Sequence, residues 1–217
     1  CRDYVVVFLG DLGKLSYKEQ LYWKSFNIEK QEGLSRTGFK RAFLGEPADP
    51  DNPDLFFKMR LSQFNENWRK KHGWNFFKEL NEKDKHYFKS LHCLTTDDNA
   101  KEFDEQVLNL TKIIIDSLNE KELQKDIVFE SNDKGIDKFE KYLLSKGYNY
   151  TDMITFVRNL QNLRSTTVAH RRSDSNKKAR ETLEYFNIGN DSLKNIFDEI
   201  LIKTIMIFNT LEKSFSL

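Results

Sequence analysis

DNAKEFDEQVLNLTKIIIDSLNEKEL, residues 98–123, decides the class of this fold. Phe103, Val107, Leu110, Ile114 and Leu118 recur at three- and four-residue spacing, which sets them along one side of a 3.6-residue helix. Ile113 and Ile115 widen that side, so the segment is predicted to be a central helix covered by others.

Working outward, the same period continues. A short helix is predicted over 136–146, stopped by Gly147 as a C′ residue. Another spans 151–169, with Met153, Val157, Leu160 and Val168 along one side. After a capped segment near 173–186, a long last helix starts at Asn190 or Asp191. Its stripe is Leu193, Ile196, Phe197, Ile200, Thr204, Ile207, Phe208, Leu211 and Phe215. Four helices with such faces bury them against one another as a bundle. Upstream, Asn52 and Pro53 mark the cap and first residue of a helix to about Lys71. GWNFFKELNEKDKHYFKSL then predicts one more, to about Leu91.

All three prolines fall in GEPADPDNPD, residues 45–54. Proline rejects helix and restricts its predecessor, so this is a loop and the best internal boundary. Before it, YVVVFLGDL (4–12) is continuously apolar and β-branched, the pattern of a short buried strand. Ser16 and Glu19 have capping-box spacing and predict a helix through about Phe26. GLSRTGFKRAFLGE (33–46) fits a strand or a short helix equally. The expected fold is mainly α: a four-helix bundle with extra helices and a small α+β N-terminal attachment. Residues 1–53 would be the α+β segment, the end of a preceding domain, and 54–217 the helical part.

A chain of 217 residues can bury a core without disulfides or metals. Its 35 Lys and Arg against 34 Asp and Glu leave no global field for nucleic acid, so any basic surface is a local patch. Two cysteines, Cys1 and Cys93, without repeated spacing suggest a reducing, cytoplasmic setting. The most apolar late stretch, IFDEILIKTIMIF, is broken by Asp198, Glu199 and Lys203 and is not a membrane span. The chain begins without Met and runs almost at once into an apolar stretch, which reads as a piece of a longer protein carrying other domains.

Three clusters invite chemistry. GDLGKLS (10–16) places Lys14 after Gly13, but Phe8 stands where a phosphate-binding loop needs Gly, and Leu15 where it needs Ser or Thr. A strand-to-helix turn is the better reading. His86, His92 and Cys93 lie within eight residues without CxxC, HxxxH or a second ligand pair, so no metal site and no cofactor is expected. The third is NLQNLRSTTVAHRRSDSNKKAR, residues 159–180. Arg164 lies seven residues after Val157 and four before Val168, on the apolar side of its helix. A guanidinium there must pair or face a partner surface. Arg171, Arg172, Lys177, Lys178 and Arg180 crowd the following turn, and Lys177 and Lys178 sit at a helix start, where the macrodipole disfavours cations. The alternative is structural: an ion pair for Arg164 with a neighbouring helix, i,i+4 pairs for Lys177 with Glu181 and Arg180 with Glu184, and His170 as a helix cap.

RSTTVAHRR (164–172) resembles the motif of the HEPN domains of prokaryotic defence and toxin systems, helical bundles with Arg, four to six residues, then His at the end of an inner helix. Arg164 matches the motif Arg and His170 the motif His. The order of helices is similar too, and the likeness covers about residues 98–215. That family commonly has Asn, His or Asp directly after the Arg, where this chain has Ser165. The resemblance implies metal-independent cleavage of RNA through a 2′,3′-cyclic phosphate, with Arg164 and His170 catalytic and Ser165 the polar neighbour supporting them. Arg171, Arg172, Lys177, Lys178 and Arg180 would bind single-stranded RNA, and a homodimer would be the active form. Two other readings stay open: a helical module that dimerises or docks a protein partner, and an RNA-binding module without cleavage.

Overall fold

The computed structural model describes residues 7, 9–28, 36–45, 48–168 and 177–217. The chain divides into two compact units, 1–49 and 50–217. In the first, α1 (Leu9–Leu12) and α2 (Tyr17–Lys24) precede α3 (Arg36–Phe39), which runs into a π-turn at Lys40–Leu44. Ser16 caps α2 as its spacing requires: the Ser16 amide donates to Glu19 at 2.9 Å and the Glu19 amide to Ser16 Oγ at 3.4 Å. The strand expected over 4–12 is corrected at its C-terminal end, where Leu9–Leu12 form a helical turn closed by Gly13 N donating to Leu9 O at 2.9 Å. Residues 4–6 and 8 lie outside the described residues. The undecided 33–46 stretch is helical where it is described.

The second unit contains α4 (Pro53–His72), α5 (Lys85–Ser90), α6 (Ala100–Ile114), α7 (Glu120–Leu123), α8 (Gly135–Ser145), α9 (Thr151–Val168), α10 (Lys177–Tyr185) and α11 (Leu193–Phe215). No strand occurs among the described residues, only the isolated bridges Phe77–Leu118 and Ile188–Asp191. Within this unit α11 packs on α4 and α6, and α9 on α6, α8 and α10. Side chains explain those pairings. Phe57, Leu61, Phe64 and Trp68 repeat at three- and four-residue steps on α4 and are all buried. Phe64 stacks on Phe208 of α11 at 5.3 Å, and Trp68 meets Phe215 edge-on at 4.9 Å. Each such ring contributes about 1.5–3 kcal/mol by burial. Thus α4 is a full partner of the last helix rather than an appendage.

Two expected helices are shortened for tertiary reasons, one at its start and one at its end. Residues 74–84 are not helical, because Phe76 and Phe77 are both drawn into the core in an extended segment. That segment bonds across to the chain beyond α6: Lys78 N donates to Ser117 O at 2.7 Å and Asn119 N to Phe76 O at 3.0 Å. The same bonds interrupt the predicted 98–123 helix, which stops at Ile114 and resumes as α7. The last helix is capped by Ser192, whose Oγ accepts from Asn195 N at 3.2 Å, slightly later than Asn190 or Asp191.

Candidate functional site

The chemistry expected at the end of α9 rests on one helix face. Met153, Ile154, Phe156, Val157, Leu160 and Leu163 are buried, and Arg164 stands on the margin of that face next to α6. A charge so placed needs a counterion, because desolvating it alone is costly. Asp116, two residues past the end of α6, supplies it: Arg164 Nη1 donates to both carboxylate oxygens, at 2.9 and 3.0 Å. Lys112, one turn earlier, reaches the same carboxylate at 2.9 Å. The Arg164 and Asp116 side chains remain 27% and 34% exposed, so the pair is half-buried and reachable from solvent.

The neighbours are placed less favourably for a single site. Ser165 is exposed and its Oγ donates back to Gln161 O at 3.1 Å, a bond within its own helix. His170, Arg171 and Arg172 lie outside the described residues, in the 169–176 stretch. Lys177 and Arg180 lie 3.7 and 4.0 Å from Glu181 and Glu184 as i,i+4 pairs. Lys177 and Lys178 open α10 with no acidic residue in its first turn. Together with Asn159 and Asn162 of α9, and Glu181 and Thr182 of α10, they line an open polar cleft of about 600 Å³. Arg164 is two residues beyond Asn162, a rotation of ~200° on an ideal helix, so it faces away from that cleft. The structure therefore sets Arg164 with α6 and the two lysines with α10, on different sides of α9.

Asp116 and Lys112 were not singled out in the sequence. The signal available was weak: an acid closing the Ile113–Ile115 run, at a point where the helix had been expected to continue. Elsewhere, Lys14 is exposed and bonded to Asp11 at 2.9 Å. His86 Nδ1 lies 2.7 Å from Lys83 O, and His92 Nε2 lies 3.1 Å from Glu102. The Cys93 thiol donates to Asp54 at 3.3 Å, and burial pushes its ionisation well up, against thiolate chemistry. Among the described residues no group of three or more His, Cys, Asp or Glu is arranged to hold a metal ion. None of the helices described is long and apolar enough to cross a membrane. No family model, curated protein or solved structure matches the chain.

Proposed function

We propose that the end of α9 is the centre of a metal-independent, HEPN-type endoribonuclease. The observation that carries this reading is the state of Arg164. It heads the Arg, five residues, His motif and is held by Asp116 at the bundle surface, so its position is set before any ligand arrives. In the reaction the ribose 2′-oxygen attacks the adjacent phosphorus. The O2′–P bond forms, the P–O5′ bond breaks, and a proton passes from the 2′-hydroxyl to the leaving 5′-oxygen. His170 serves as acid or base for that proton. Arg164 offsets charge on the phosphorane oxygens. Lys177 and Lys178, across the helix, take the RNA backbone on either side of the cut.

The same pair favours a second reading. Asp116 already neutralises Arg164 and is shared with Lys112, which suits a structural clamp between α6 and α9 in a docking module without catalysis. Arg164→Ala separates the two when assayed for both melting and cleavage of single-stranded RNA. The ribonuclease reading expects cleavage to fall at least ~100-fold while stability falls by only about 1–2 kcal/mol, as for a half-exposed pair. Asp116→Asn should lower stability similarly and slow cleavage less than Arg164→Ala does, because the guanidinium remains but is held less firmly. A melt loss with wild-type cleavage would leave only the clamp.

A further inference from the structure

Where α4 begins, ionisable side chains from three parts of the second unit come together. Asp54 stands in the first turn of α4, directly after Pro53, and is only 8% exposed. Cys93, between α5 and α6, donates its thiol proton to Asp54 Oδ1 at 3.3 Å. Asp198 of α11 faces the same thiol, and its Oδ1 is buried without a hydrogen-bond partner. One thiol proton cannot serve two carboxylates. With both ionised, like charges share a poorly solvated place and one of them goes unmet. A proton on Asp198 removes that conflict, because the neutral carboxyl carries a donor of its own. The cation that acts on this carboxyl is Lys194, one turn earlier on α11. Other nearby charges are turned elsewhere: Lys58 of α4 lies 5.7 Å over the Phe88 ring, and His92 lies 3.1 Å from Glu102 of α6.

We propose that Asp54, Cys93 and Asp198 form a proton-operated catch: a proton on Asp198 seats the start of α4 against α11, and its loss loosens that turn. Burial raises the Asp198 carboxyl above its ordinary range; the Cys93 thiol and Lys194 oppose the rise, and Asp54 adds to it. The folded chain therefore holds this proton more tightly than the unfolded one does. The resulting stability is complete below the ordinary carboxyl range and is lost as pH rises through the raised value. His72, at the far end of α4, is shifted the opposite way, chiefly by burial. Acid thus tightens the start of α4 and loosens its end. The catch lies on α4 and α11 and holds whether or not the Arg164 motif cleaves RNA.

Hydrogen exchange on the full chain, followed from about pH 4.5 to 7.5 and corrected for the intrinsic rate at each pH, tests it locally. Amides of residues 56–60, which open the hydrogen-bonded ladder of α4 with Phe56 N donating to Asn52 O at 3.0 Å, report the catch. Their protection should fall at least ~5-fold across that range, the low end for coupling between two linked events. Protection at residues 68–72 should move the other way. Asp198→Asn keeps the shape of the neutral acid and cannot ionise, so residues 56–60 should stay protected at every pH. Asp54→Asn removes the like charge and should shrink the step without abolishing it, since burial still acts on Asp198. A role in packing alone would change protection equally at all pH values. A flat wild-type profile, or a step of undiminished size in either variant, would overturn the proposal.

Discussion

His72 closes the last turn of α4 with its ring 4.3 Å from that of Trp68 and its Nε2 buried without a hydrogen-bond partner. Burial lowers its pKa, and the charges of Lys71 and Lys146 lower it further. The sign of the consequence follows from linkage. A lowered folded-state value means the unfolded chain binds the proton more readily. Stability is therefore full above about pH 6.5, the ordinary histidine value, and is lost as pH falls through and below it. His72→Phe keeps a ring against Trp68 and cannot titrate. Urea melts from pH 7.5 to 5 should show a shallower loss for this variant than for the wild type, and parallel curves would refute the assignment. Arg164 meets the cost of burial differently: at the margin of a buried face its guanidinium is paired with the Asp116 carboxylate.

At the scale of elements, periodicity read the helices well and their ends poorly. The stripes read on α6 and α11 are buried apart from the partly buried Ile207, and Met153, Val157 and Leu160 of α9 are buried too, because side-chain spacing depends only on the local helix repeat. α6 stops at Ile114 and residues 74–84 leave the helix because Phe76 and Lys78 bond to the segment after α6, a pairing between parts of the chain some forty residues apart. No local pattern contains that information. The partner of Arg164 escaped for the same reason: the need for an acid was legible, its identity as Asp116 was not. Gly147 shows the reverse case. Its φ is +83°, with Gly147 N donating to Leu144 O at 3.0 Å and Tyr148 N to Leu143 O at 2.9 Å, the closure expected of a C′ glycine. An added Cβ would meet nothing within 4 Å, so Gly147→Ala tests the backbone alone. It should cost about 1–2 kcal/mol in a urea titration. A neutral result would mean that the turn relaxes out of the left-handed region.

For the molecule as a whole, every buried hydrophobic side chain among the described residues lies at or beyond Phe57, and α2 carries no buried residue. Residues 50–217 alone should therefore unfold in one cooperative transition with the midpoint of the full chain. A lower midpoint or a broadened transition would show that 1–49 contributes to the core. That second unit bears the central claim, which is chemical. The most direct measurement is cleavage of single-stranded RNA by the full chain in excess EDTA, with the product ends identified. The account predicts cuts ending in 2′,3′-cyclic phosphate, no action on DNA, which lacks the 2′-hydroxyl nucleophile, and at least ~100-fold slower cutting by His170→Ala. RNA cut as fast by His170→Ala as by the wild type, or left intact by the wild type, would contradict it.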